Sequence, residues 1–236
     1  MTLKARGWAC AIAATMPGTA AAQEVLTIEF PGVMLSAPIP EGYCLPTGEA
    51  KASAELVSTA DTQNATHAIL LRCEHRSTGT DESKDYYLIK SPRHTLTMAV
   101  PRAKLLAEMA QHFGRAEWQM GGQASRDAST LVNRDLSEKL DAPASVGGDF
   151  GGRGTDADCA YIGGEATVSL GDISFPIQGG SCMTSVGDRI VTVYAYDSPK
   201  GPGGIERLMR KARDLAMSLT VVPAVMPPMP VPPKAP

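Results

Sequence analysis

The sequence predicts an α+β domain: a largely antiparallel sheet flanked by helices and held by two disulfides. Three observations carry this. Three strand-like runs near the C-terminus are joined by short Gly-Asp turns. Two other segments repeat apolar residues at helical spacing. Four cysteines, an even number, remain once an N-terminal leader is set aside.

The C-terminal strands are the clearest. Cys159–Leu170, Ile173–Val186 and Arg189–Tyr196 read as a meander with turns at Gly171-Asp172 and Gly187-Asp188. With Gly171 and Asp172 as the turn, Gly163-Gly164 faces Gly180-Gly179 across the hairpin. Cys159 and Cys182 are two residues off that register, so a bulge near the glycines is expected to bring them opposite. Ile190–Tyr196 is apolar or aromatic on nearly every residue and needs cover on both faces. The helix that follows supplies part of it. Ile205, Leu208, Met209, Ala212, Leu215, Ala216 and Leu219 form one stripe, with Arg207, Arg210, Lys211 and Asp214 opposite.

Further upstream, Val33–Pro38, Ala68–Cys73 and Asp85–Lys90 read as strands, with His94–Val100 continuing the sheet or linking onward. Glu49–Asp61 is alanine-rich and reads as a short helix with Leu56 and Val57 inward. Pro101 is suited to open a helix, since its missing N–H has no partner there. Leu105, Leu106, Met109, Ala110 and Phe113 then share a face, and Gly114 stops it. Residues 115–155 carry less signal and read as an insertion or mobile segment. Within them Asp127–Leu140 reads as an amphipathic helix through Leu131, Val132, Leu136 and Leu140, and Gly147–Gly154 as a mobile loop by composition.

The two ends read differently from the 23–222 domain. Lys4 and Arg6 precede a small, apolar stretch from Trp8 to Ala22, and Ala20 and Ala22 fit the small-x-small rule for cleavage before Gln23. Residues 1–22 are therefore expected to be a secretory signal peptide. A retained anchor is the alternative, but Pro17 and Gly18 interrupt a run already short for a membrane span. Cys10 is poorly placed for a lipoprotein signal, because Arg6-Gly7-Trp8-Ala9 before it is too bulky. At the other end, seven of the fourteen residues from Pro223 to Pro236 are proline, which predicts an extended, disordered tail.

Cleavage would leave Cys44, Cys73, Cys159 and Cys182 in an exported chain, which reads as two disulfides. Three pairings are possible, and Cys44–Cys73 with Cys159–Cys182 is preferred. Loss of Lys4 and Arg6 reduces the 22 basic residues to 20 against 25 acidic ones. That balance argues against a nucleic-acid partner. No later run is apolar enough to cross a membrane, so a soluble periplasmic or secreted protein is expected.

Candidate chemistry is sparse. Cys73-Glu74-His75 would place a cysteine and a histidine on one face of a strand, yet metal binding needs a free thiol at Cys73. His67, His94 and His112 are scattered, and a Ser/His site can be assembled only in space, because no Gly-x-Ser-x-Gly elbow is present. Gly180-Ser181-Cys182 does not substitute for one. Gly151–Asp158 nearly matches one calcium-binding nonapeptide but fails at Asp158, leaving Asp156 and Asp158 as a possible cation pair. The same glycines are not followed by Gly-Lys-Ser/Thr, so they are not a phosphate loop. No cofactor and no catalytic residue is expected.

Ile39-Pro40-Glu41-Gly42-Tyr43, a strand leading into Pro-x-Gly-aromatic, and Ile190–Tyr196 followed by a helix ending Ala216-Met217-Ser218-Leu219, together with the element order, resemble the PsbP/Mog1-like α/β/α sandwich family. Residues 115–155 would be an insertion in it, and two disulfides are not a general mark of that fold. The resemblance implies a non-catalytic binding or accessory module whose partner is a protein or small ligand. A periplasmic hydrolase with a spatially assembled Ser/His site and a structural partner tethered through the proline-rich tail are the competing readings.

Overall fold

The computed structural model describes residues 23–78, 84–140 and 143–223. The expected leader, and all of the expected tail beyond Pro223, lie outside the described residues. Ten strands and four α-helices follow in order among the described residues. They are β1 (Val25–Phe30), β2 (Val33–Pro38), β3 (Tyr43–Cys44), α1 (Gly48–Ala60), β4 (Asn64–Arg72), β5 (Tyr86–Pro92), α2 (Arg102–Phe113), α3 (Gln123–Leu140), β6 (Ala144–Thr155), β7 (Ala160–Leu170), β8 (Ile173–Val186), β9 (Arg189–Asp197), α4 (Gly204–Ser218) and β10 (Thr220–Val222).

Seven strands form one antiparallel sheet in the order β3-β4-β5-β9-β8-β7-β6, and β1-β2-β10 form a small second sheet. The mixed α/β character, the antiparallel pairing and both disulfides agree with the expectation from sequence. The main sheet is covered on both faces, as the apolar β9 demands. On one face Val191, Val193 and Ala195 pack with Leu70 and Ile89 against Leu208, Ala212 and Leu215 of α4 and against Ile28 and Leu35 of the small sheet. On the other, Ile69, Leu71 and Leu88 meet Ala50 and Ala54 of α1, while Ile190 and Ala160 meet Leu105, Leu106, Met109 and Phe113 of α2. Full burial of side chains such as Leu208 and Leu215 contributes about 1.5–3 kcal/mol each.

The C-terminal meander forms in the expected register. Gly163 faces Gly180 and Gly164 faces Gly179. Gly187 and Asp188 both have left-handed φ, at 55° and 60°, as a two-residue type I′ hairpin requires. Pro101 opens α2 and Gly114 caps it.

Five local expectations are corrected. Gly147–Gly154 is not a loop but the middle of β6, paired with β7 along its length. Its glycines let neighbours come close: a Cβ on Gly152 would collide with the Phe113 ring, and one on Gly151 with the main chain of Met120. The β7–β8 ladder runs without a bulge from Ala160 to Leu170. Cys159 instead lies just beyond the ladder, in a turn where the Asp156 carboxylate accepts the amides of Asp158 and Cys159. It reaches diagonally to Cys182, whose ladder partner is Tyr161. Leu56 and Val57 point outward, because α1 lays its small alanines, Ala50 and Ala54, on the sheet. Ala110 is exposed on α2, although the helical spacing places it on one face with Leu105, Leu106, Met109 and Phe113. Leu131 and Val132 are also exposed, because a different stripe docks α3.

That stripe is Ser125, Ser129, Asn133 and Ser137, one residue per helical turn. Ser137 Oγ accepts the Ala144 amide and donates to the Ala144 carbonyl, Asn133 Oδ1 accepts the Val146 amide, and Ser125 Oγ accepts the Phe150 amide. Four helical residues advance about 6 Å and two strand residues about 6.6 Å, so the rows stay in step. The outer edge of the sheet at β6 is thus closed by side chains of a helix.

Candidate functional site

The cysteines are joined as Cys44–Cys73 and Cys159–Cys182, with Cα–Cα distances of 4.9 and 5.2 Å. Cys73 is therefore not a metal ligand. Its neighbour His75 sits beside Glu74, 3.7 Å from the carboxylate. The Asp156 and Asp158 carboxylates are taken up by cations of the protein itself. Arg213 hydrogen-bonds Asp158, and Arg102 lies 3.7 Å from it. Tyr161 donates to Asp156 at 2.7 Å. Burial raises the Asp156 carboxyl, but the Tyr161 hydroxyl, the two turn amides and Arg213 outweigh it and hold it below the usual range.

Of the scattered histidines, His67 meets a serine. His94 is exposed and His112 packs against Trp118. His67 Nε2 lies 2.9 Å from Ser91 Oγ, although the two are 24 residues apart. Ser91 is fully buried and donates its proton to the Ile190 carbonyl at 2.6 Å. Its oxygen must therefore accept, which assigns the proton to His67 Nε2. This is the reverse of the polarity in which a base takes a serine proton. Burial pushes the His67 pKa down to about 4, so the ring is neutral near pH 7.

Another polar cluster joins β3, β5 and α4. Lys211 donates to Tyr43 Oη at 2.6 Å and to Asp85 at 2.8 Å, while the Tyr43 hydroxyl donates to Asp85 at 2.6 Å. Asp85 just precedes β5 and Lys211 lies on α4, so the contact pins the helix to the sheet.

Two concavities flank α1. The larger, about 430 Å³, runs between α1 and β4 and is lined by Leu45, Pro46, Lys51, Ala54, Thr66 and Ile69, among others. It exists because β3 stops after two residues. The Cys73 amide donates to Gly42, and Leu71 pairs with Cys44. By alternation the main chain of Ile69 faces the same side. The residue that would oppose it is Pro46, which has no N–H to give. Beyond this point β4 has no strand partner on that side among the described residues. The Thr66 hydroxyl beside it is buried without a hydrogen-bond partner among the described residues.

The smaller, about 210 Å³, lies between α1 and α3 at the ends of β4 and β5. On its floor Lys90 Nζ is 2.7 Å from Asp61 Oδ2, with side chains only 15% and 17% exposed. Burial raises the Asp61 carboxyl, but Lys90 and the Asn64 donors outweigh it and hold it low. Further along the same face the Tyr86, Tyr194 and Tyr196 rings stack. Burial, and next the Asp61 charge, push Tyr194 up to about 12.

Sequence reasoning named neither the Asp61–Lys90 pair nor the His67–Ser91 pair, whose members lie on separate elements. Only the serine-asparagine stripe of α3 left a readable signal, its spacing of four. Among the described residues no helix is long and apolar enough to cross a membrane.

No family model matches the sequence, and no curated protein matches it. Among solved structures the chain is similar to cyanobacterial PsbP (CyanoP) from Synechocystis sp. PCC 6803. The TM-score is 0.40 at 10% identity, over 88% of this chain and 98% of that one, a weak resemblance to the PsbP fold.

Proposed function

We propose that this protein is an exported, non-catalytic binding or accessory module that meets its partner along the open edge of β4. The observation that carries this reading is the contrast between the two edges of the main sheet. Natural sheets usually protect their edges against pairing with other chains. The β6 edge is closed by the α3 stripe, whereas β4 beyond Leu71 faces a groove. An extended segment of another protein can add to such an edge through main-chain hydrogen bonds. Export is supported by the leader-like N-terminus and by two disulfides, one of them fully buried. The polarity of the His67–Ser91 contact weighs against the hydrolase reading.

Intact mass of the protein recovered from the periplasm, with and without reduction and alkylation, tests the compartment. A chain beginning at Gln23 with no free thiol is expected; an uncut chain or reactive cysteines would overturn it. A photo-crosslinking residue at Ser58, which lines the groove, should give one discrete adduct in cells, and the same residue at exposed Gln111 should not. Equal labelling from both positions would refute the edge as the meeting surface.

A further inference from the structure

We propose that the α1–α3 cleft is a separate site for a small amphipathic anion, with its carboxylate on Lys90 and its apolar body against Val57, Leu131 and Val132. The cleft is lined by three aliphatic side chains. They stand on two facing helices and are 37–42% exposed. Leu136 and Ala128 extend the same lining. The apolar side of α3 is left facing this space because its serine-asparagine stripe is what docks on β6.

The polar floor selects the charge of the ligand. The carboxylate oxygens there each already accept at least one donor. Asp61 Oδ1 takes the Gln63 and Asn64 amides and the Asn64 side chain, and Oδ2 takes Lys90. Asp135 takes the Thr62 hydroxyl at 2.6 Å and the Arg134 guanidinium. A cationic head group would find these oxygens occupied. Lys90 has three N–H donors and directs one to Asp61. The unspent capacity of the floor is therefore that of a donor, on a lysine side chain only 15% exposed. A carboxylate fits it through a charge-assisted hydrogen bond. The volume is below the roughly 300–1,000 Å³ of sites for drug-sized molecules, so the apolar body is short.

The test is an amide-resolved NMR titration of the disulfide-intact mature chain with hexanoate, hexylamine and hexanol. Hexanoate should move the amides of Val57, Asn64, Leu131 and Val132 along one saturable curve, and hexylamine should not. Lys90→Met, which keeps the length of the side chain, should weaken hexanoate about tenfold or more, as expected for loss of a hydrogen bond to a charged group. Val132→Asp, at an exposed position, should abolish the shifts without lowering Tm, and it decides the matter if Lys90→Met fails to fold. Equal shifts from hexylamine, unchanged hexanoate binding in Val132→Asp, or no hexanoate shifts at these amides would overturn the proposal.

Discussion

Replacing Gly180 by alanine adds a single methyl group where the sheet touches α4. That methyl would stand 2.6 Å from the Met209 amide nitrogen, 2.9 Å from the Leu208 carbonyl carbon and 3.0 Å from the Ile205 oxygen. All three are main-chain atoms of a helix, so no flexible side-chain end can swing aside. The helix itself must shift, and it carries Leu208, Ala212 and Ala216, each fully buried. Overpacking of a well-filled core costs about 1–3 kcal/mol, and a rigid obstacle places this case near about 3 kcal/mol. For a domain of this size that corresponds to a fall in Tm of about 6–12 °C. Gly147→Ala is the internal control, because a Cβ there meets nothing within 4 Å. It should change stability by less than about 1 kcal/mol, toward a gain, since alanine restricts the unfolded chain. Circular-dichroism melts of both variants with the disulfides intact make the comparison. A Gly180→Ala melt as benign as that of Gly147→Ala would refute the close approach of α4 to β8.

Removal of the Asn133 acceptor by Asn133→Ala should cost about 1 kcal/mol and speed hydrogen exchange at the Val146 amide. Protection at Val193 in the sheet interior should be retained. Partial burial pushes the His67 pKa down to about 4, so the unfolded chain takes up the proton first. Stability is then full above pH about 6.5 and declines toward pH 4, by up to about 3 kcal/mol; His67→Gln should flatten urea midpoints across that window. The lowered carboxyls of Asp61 and Asp156 act in the same direction but only below about pH 4, which keeps the effects separate. Limited reduction followed by alkylation should label Cys44 and Cys73, which are partly exposed, before the fully buried Cys159 and Cys182. Loss of either bridge should cost about 3–4 kcal/mol by loop entropy.

Much of the fold was legible because its signals are local. Pro101 and Gly114 mark α2, the Gly-Asp turns mark the meander, and the paired glycines set the β7–β8 register. The four cysteines that follow the leader-like N-terminus pointed to disulfides without any structure. What failed was decided by neighbours distant in the chain. Gly147–Gly154 has little strand preference of its own and becomes β6 because β7 pairs one side of it and α3 caps the other. The sequence points Leu56 and Val57 of α1 inward and gives α3 an apolar stripe through Leu131, Val132, Leu136 and Leu140. The structure instead uses alanines for one helix and a polar stripe for the other, and so leaves Val57, Leu131 and Val132 around a cleft. Asp61 and Lys90 are 29 residues apart and His67 and Ser91 are 24 apart, and no periodicity links either pair. Short-range composition and spacing thus determined most of the elements and the preferred cysteine pairing, which the disulfides match. Which faces meet, which sheet edge stays open and which charges lie together followed from packing, because those contacts exist only once the chain has folded.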